Sequence, residues 1–377
     1  MEKFILMPDS FKGTLTSLDA CEIMSCVIRR FIPEAEILSI PIADGGEGTV
    51  DCFVAAAGAK KIRCPSVDPL GRTIDSFYGI LPDGTAVIEM AAAAGLPLLE
   101  GELAPMDATT YGVGLLIKDA VQKGAVRIVL GLGGSATTDG GTGAAAALGA
   151  VFRNRTGDIF LPTGGTLEEI ASVDLTAVKE VLAKVEVVAM CDIDNPLYGD
   201  KGAAYQFAPQ KGAQAEQVEQ LERGLRHFAE IALDATGIDA AAMPGAGAAG
   251  GMGAGAVLFF GAKLKRGIDA ILDTVAFESC VKDASLIFTG EGRLDGQSIG
   301  GKVISGIARR AKKCDVPVIA VVGGAEPGLE AVYDVGVTAV FPINRLPMAF
   351  EQAKMRAQEN LRDTMEDIVR LYLACKD

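Results

Sequence analysis

The chain has 377 residues, 49% hydrophobic and 22% charged, with 49 acidic against 35 basic side chains and a net charge of −14. That composition can bury a large core, which excludes disorder over most of the length and, at roughly 150 residues per domain, suggests two to three domains. With no basic run to offset it, so acidic a surface repels nucleic-acid backbones and anionic lipids, and a single histidine, His227, leaves little scope for histidine-based nucleophilic catalysis.

The eight cysteines form no Cys-x-x-Cys pair and have no histidine nearby, so they read as reduced, small apolar residues of a cytoplasmic protein. Pro8-Asp9 cuts short the apolar run at residues 4–7, which is too brief for a signal peptide. The uncharged, Gly-rich residues 245–262 span 18 positions of which seven are glycine, more loop than membrane span.

In chain order, residues 3–7 predict a strand, and Ser17 opens an amphipathic helix to about residue 30 with Asp19 and Glu22 near its positive end. A strand at 36–41 leads to Asp44-Gly45-Gly46-Glu47-Gly48-Thr49 and a helix at 49–57. Residues 74–79 and 86–90 read as an antiparallel hairpin through Pro82-Asp83-Gly84. There follow a strand at 127–130, a loop rich in Gly and Thr, and an Ala-rich helix from about 143. A strand at 185–190 ends in Cys191-Asp192-Ile193-Asp194-Asn195-Pro196, and 214–233 reads as a charged helix with a solvated His227. Strands at 285–288, 317–322 and 338–341 alternate with helices at 302–312, from about 328, and at 349–373. Such alternation predicts α/β architecture with a mainly parallel, doubly wound sheet. Strands from both chain ends are expected to share that sheet, with residues 1–69 and 284–377 in one domain and 70–283 inserted as a second.

Five loops share one design, in which a strand ends, glycines with a carboxylate or hydroxyl follow, and a helix begins. Anions bind at such edges because backbone N–H groups point outward there. In Asp9-Ser10-Phe11-Lys12-Gly13-Thr14, Lys12 suits a phosphate with Asp9 and Ser10 as ligand or cap, or the loop is an ordinary turn. In the 44–49 loop, three glycines permit close backbone approach beside Asp44 and Glu47, or the acids are simply solvated. The strongest signal is Gly131-Leu132-Gly133-Gly134-Ser135-Ala136-Thr137-Thr138-Asp139-Gly140-Gly141, whose glycines and hydroxyls are what an anion cradle requires. Asp192 and Asp194, at alternate positions, can face a hydrated Mg²⁺ or cap a turn. In the segment from Thr289 to Lys302, Arg293 suits a phosphate or carboxylate fork, or pairs with Glu291 or Asp295. A Walker A reading fails there, because Val303 stands where a Ser or Thr should bind Mg²⁺. Gly245-Ala246-Gly247-Ala248-Ala249-Gly250 matches G-x-G-x-x-G, but no strand precedes it, so a dinucleotide fingerprint is not supported.

Several of these segments recur together, in order, in one family. Asp9-Ser10-Phe11-Lys12-Gly13-Thr14, Ala43–Thr49, Asp68-Pro69-Leu70-Gly71-Arg72, Glu89-Met90-Ala91 and Gly133–Gly141 are among them, as are Asp194-Asn195-Pro196-Leu197, Pro209-Gln210-Lys211-Gly212-Ala213, Pro244–Gly251 and Thr289–Arg293. On these blocks the chain resembles the bacterial glycerate kinase family, in its glycerate 2-kinase branch. The resemblance implies a discontinuous flavodoxin-like domain with an inserted α/β domain of mixed sheet, and ATP- and Mg²⁺-dependent phosphorylation of D-glycerate to 2-phosphoglycerate in organic-acid catabolism. One departure is Leu103-Ala104-Pro105, where relatives usually carry an Arg-Asn-Pro-type segment, which bears on acceptor preference.

On that resemblance, Gly133, Gly134, Ser135, Thr137, Thr138 and Asp139 are expected to hold ATP, and Lys12 and Arg293 to stabilise the transferred group. Asp44 or Asp295 is expected to take the hydroxyl proton, and Asp192 or Asp194 to hold Mg²⁺. Asp9, Ser10, Gly45, Gly46, Glu47 and Glu291 are expected around the acceptor. A kinase of a related hydroxy acid, a 3-phosphate product, and a non-catalytic sugar-acid-binding protein are the alternatives; a homo-oligomer is compatible with the sequence.

Overall fold

A computed structural model of the chain describes residues 1–11, 13–43, 45–294, 303–346 and 349–376. It divides into two compact units: residues 1–44, 52–58 and 268–377 form the first, and residues 45–51 and 59–267 the second.

The first unit is built on a five-stranded, wholly parallel sheet in the order Val337–Pro342, Val318–Val322, Leu286–Gly290, Lys3–Pro8, Glu36–Ser39. Counted within this sheet, that order is 5-4-3-1-2, the doubly wound flavodoxin-like arrangement. Lys3–Pro8 reads as an almost unbroken apolar run because a central parallel strand is covered on both faces; Phe4 to Met7 are buried, as is Phe288 on the neighbouring strand. The helix Ser17–Phe31 starts with a capping box: the Thr16 hydroxyl accepts from the Asp19 N–H at 3.0 Å, and the Asp19 carboxylate accepts from the Thr16 N–H at 3.2 Å. The long C-terminal helix expected at 349–373 is two helices, Phe350–Met355 and Ala357–Ala374, because Arg356 leaves helical geometry (φ −105°, ψ 5°).

The second unit carries a six-stranded mixed sheet in the order Lys263–Lys265, Glu186–Met190, Arg127–Gly131, Thr85–Glu89, Thr73–Ile80, Lys60–Val67. The first four run parallel, and the last two are antiparallel additions. Lys60–Val67, which lies before the expected break at 69/70, pairs along its whole length with Thr73–Ile80 in this unit. Its Lys- and Arg-rich alternation hides it from a reading by apolar runs. The helix Tyr111–Gln122, also unanticipated, packs Val113, Leu116 and Ile117 into the core. His227 is half-buried rather than solvated, its Nε2 lying 2.6 Å from the Ile170 carbonyl. All eight cysteines are free, and among the described residues no helix is long and apolar enough to cross a membrane.

Candidate active site

In the second unit the parallel strands deliver their carboxyl ends to one edge. Glu89, the loop after Gly131, Asp192 after Met190, and Arg266 after Lys265 all follow such ends. The loop that begins at Gly131 is held from several sides. Gly133 N–H donates to the Gly45 carbonyl at 3.2 Å, and a side chain on Gly133 would sit 2.7 Å from the Gly46 Cα, so only glycine permits this approach. On a second side, Leu96 N–H donates to the Gly134 carbonyl at 3.1 Å and Ala136 N–H to the Ala94 carbonyl at 2.8 Å. On a third, Gly140 N–H donates to the Gly250 carbonyl at 3.1 Å. The structure thus gathers Gly45, Gly46, Gly133 and Gly134 within this unit, whereas Glu47 is exposed.

What the loop leaves unbonded matters more. Among the described residues, the N–H groups of Gly134, Ser135, Thr137 and Thr138 have no acceptor. The hydroxyls of Thr137 and Thr138 are fully buried and likewise have no partner. Gly134 is exposed, but Ser135, Thr137 and Thr138 are buried, and buried donors are nearly always satisfied in a finished fold. Such a set in one loop is the chemistry of an anion cradle.

Asp139 is different in kind. It is fully buried, and its carboxylate accepts from the Thr110 N–H and Thr110 hydroxyl, each at 2.8 Å, and from the N–H groups of Gly141 and Gly143, each at 3.2 Å. Three of these bonds reach Oδ2 and one reaches Oδ1, so both oxygens are engaged inside the fold. Burial drives its pKa up and the four bonds oppose that rise. Asp139 therefore anchors the loop to the starts of helices Tyr111–Gln122 and Thr142–Ala147.

Two residues with no role assigned from sequence complete the frame. Lys211 is 2% exposed, and its Nζ donates to Ser135 Oγ at 2.9 Å and to the Thr137 carbonyl at 2.6 Å. Burial lowers its pKa to about 7, with the Asp139 charge opposing. Glu89, buried at its strand end, accepts from Val50 N–H at 2.5 Å and Gly48 N–H at 3.3 Å. Burial raises it to about 7 despite those bonds. The Gly-rich stretch rejected as a dinucleotide fingerprint is the loop's scaffold: Ala249, Gly250 and Gly251 are consecutively left-handed, which brings Gly250 against Thr137 and Thr138. Its density of glycines was the available signal.

Asp192 and Asp194 are committed elsewhere. Asp194 takes both oxygens to Arg266 (3.0 and 3.1 Å), and Asp192 Oδ1 accepts the Gly267 N–H at 2.8 Å. Among the described residues no group of three or more His, Cys, Asp or Glu side chains is placed to hold a metal. Both carboxylates are thus engaged within the protein, and a Mg²⁺ held by one or two carboxylates together with waters and nucleotide phosphates would exchange for these contacts.

In the first unit the chain leaves Lys3–Pro8 and Leu286–Gly290 side by side, at the point where the strand order reverses. Ligands of doubly wound sheets bind outside this switch point. Asp9 N–H donates to the Gly290 carbonyl at 2.8 Å, and Asp9 Oδ1 accepts from Ser10 N–H at 2.6 Å, so Asp9, Ser10 and Glu291 lie together here. Arg293 is exposed and ion-paired with Glu326, an acid not anticipated as its partner. Lys12, Asp44 and Asp295 lie outside the described residues.

A family model described as "Glycerate kinase family" matches residues 4–373. The chain is similar to a glycerate kinase of Bacillus cereus, 42% identical over 372 residues and 98% of each chain. It is also similar to a glycerate 2-kinase of Escherichia coli, 39% identical over 361 residues and 95% of each. A solved structure named for a glycerate kinase 2 of Salmonella typhimurium superposes with a TM-score of 0.88 at 38% identity, covering 100% of this chain and 99% of that one.

Proposed function

This chain belongs to the glycerate kinase family, and we propose that it transfers the γ-phosphoryl group of ATP to the 2-hydroxyl of D-glycerate, giving 2-phospho-D-glycerate in the cytoplasm. The observation that carries this reading is the loop at 133–138, with four backbone donors and two buried hydroxyls lacking partners among the described residues. We place the ATP phosphates on it, at Gly133, Gly134, Ser135, Thr137 and Thr138, with Asp139 as the anchor behind them.

Phosphoryl transfer asks a protein for alignment and charge neutralisation more than for covalent chemistry, so one half-buried histidine is no obstacle. Asp9, Ser10 and Glu291 at the switch point of the first unit, with Gly45, Gly46 and Glu47, are proposed to hold the acceptor. Lys12 and Arg293 would supply positive charge to the transferred group, and Asp44 or Asp295 would accept the hydroxyl proton. Mg²⁺ enters the proposal with ATP, and no protein ligand is assigned to it.

The deciding experiment is a coupled assay for ADP with D-glycerate, L-glycerate, tartronate and glycerol as acceptors, followed by phosphorus NMR of the product. ADP release with D-glycerate and a 2-phosphate signal is the expected result. Binding of glycerate without ADP release would leave a sensor, and a 3-phosphate signal would reassign the hydroxyl.

A further inference from the structure

Lys211 is a buried cation with no carboxylate within ion-pair distance among the described residues. Its two bonds go to neutral oxygens, and its third N–H has no acceptor among those residues. Burying an ammonium among neutral partners is costly, so what it does for the loop needs a reason.

The reason lies in hydrogen-bond polarity. An ammonium has three donors and no acceptor. Ser135 Oγ, 2.9 Å from Nζ, must therefore accept that bond, and its own proton is turned away from the lysine. No acceptor for that proton is found among the described residues. The Ser135 side chain is thereby presented as a donor on the loop whose neighbouring N–H groups and threonine hydroxyls are donors too.

Resting on the reading of this loop as the ATP phosphate site, we propose that Lys211 is a positioning residue that, only while protonated, fixes Ser135 as a hydrogen-bond donor to the nucleotide phosphates, so that ATP binding is linked to the proton on Lys211. Loss of that proton gives Nζ a lone pair, which the Ser135 hydroxyl can then donate to, and the loop loses one donor and a positive charge together. The lowered lysine pKa, about 7, places this exchange within the working pH range. Asp139 is the charged group that acts on Lys211, and its carboxylate is held by four other donors and makes no ion pair with the lysine among the described residues.

The test is isothermal titration of the whole protein with ATP between pH 7.5 and 9, where the nucleotide's own phosphates no longer titrate, in two buffers of different ionisation enthalpy. The expected result for the natural chain is an affinity that falls by up to about tenfold per pH unit, with uptake of a fraction of a proton that grows with pH. Ser135→Ala should bind ATP more weakly at pH 7.5 and show a much shallower pH dependence; Lys211→Gln, if folded, should be weak and flat. A flat affinity and no proton uptake in the natural chain, with Ser135→Ala still weakened, would overturn the role of Lys211 and leave the loop as the phosphate site. An undiminished pH dependence in Ser135→Ala would also overturn it, since the lysine would then not act through that hydroxyl. Binding by Ser135→Ala equal to that of the natural chain would overturn the proposal, since that hydroxyl would not serve the phosphates, whereas failure of the loop reading itself would show as unchanged ATP binding in Thr137→Val and Gly250→Ala as well.

Discussion

Gly250→Ala tests the scaffold beneath the phosphate loop. Gly250 has φ +67°, and an added Cβ would lie 2.0 Å from the Thr137 carbonyl oxygen and 2.6 Å from the Thr138 Cα. Ordinary contact begins near 3.4 Å, so the carbonyl must retreat by about 1.4 Å, and it is the same carbonyl that Lys211 holds at 2.6 Å. Two effects superimpose. The left-handed conformation alone costs about 1–2 kcal/mol for alanine, while the overlap with backbone moves the loop. A displacement of about 1 Å in a positioning element can lower turnover about 10²-fold, or about 2.7 kcal/mol in kcat/KM. Gly157→Ala is the control, since Gly157 has φ +90° with nothing within 4 Å of the added methyl and therefore carries the conformational cost without the clash. Urea unfolding should show a loss of about 1–2 kcal/mol for Gly157→Ala with unchanged kcat/KM. Gly250→Ala should lose more stability and about 10² in kcat/KM, with a raised KM for ATP. Equal behaviour of the two variants in both assays would refute the scaffold role.

Thr137→Val replaces a buried, unpartnered hydroxyl with an isostere, so the free protein should gain about 1 kcal/mol by urea unfolding while its KM for ATP rises; a loss of stability would show that the hydroxyl is satisfied. Asp139→Asn leaves donors without an acceptor and should cost about 3 kcal/mol or more in the same measurement, and a shift below about 1 kcal/mol would deny it the anchoring role. Burial raises Glu89 to about 7, above its unfolded value near 4.5, so the folded chain holds an extra proton between those values and stability should fall as pH rises from about 5 to 7; Glu89→Gln should flatten that slope in unfolding curves. Arg293→Ala removes an exposed ion pair with little stability cost, yet should lower kcat about 10³-fold in the coupled assay, and near-normal turnover would remove Arg293 from the mechanism.

The architecture was legible because its signals are local. Apolar runs such as residues 3–7 and 285–288 mark strands buried on both faces, and the parallel pairing of Phe4 with Leu286 follows once both ends of the chain carry them. Lys60–Val67 escaped notice because only every other residue of an outer strand faces the core, and its solvent face is basic. The loop at 131–141 announced itself by composition, but composition does not separate the residues that face a ligand from those that anchor the loop. Asp139 and Thr138 are neighbours, and one is bonded by four donors inside the fold while the other keeps an unpartnered hydroxyl. Lys211 was out of reach for a different reason: burial of a lysine 76 positions from Ser135 is a tertiary fact with no local signature. The pairing of Arg293 with Glu326 and of Asp194 with Arg266 likewise depends on how distant loops fold back.

Several departures from stable design within the second unit lie on the phosphate loop and its scaffold. A left-handed alanine at Ala249, an ammonium among neutral oxygens at Lys211, and two buried hydroxyls without partners at Thr137 and Thr138 each carry a penalty on the order of 1–3 kcal/mol. Selection for folding alone would remove them by single substitutions such as Thr137→Val. Their anchors, in contrast, are well bonded: Asp139 has four donors, and Gly133, Leu96 and Ala136 complete the backbone ties. A loop fixed from behind and unsatisfied in front has its donors aligned before any ligand arrives, so little reorganisation is needed when charge is placed on it. Single strained or unpaired groups elsewhere in the unit, such as left-handed Glu100 and the buried Glu222 Oε2, speak only of imperfect packing, whereas several missing bonds on one anchored loop, all on groups able to donate, identify a segment where a polyanion restores them.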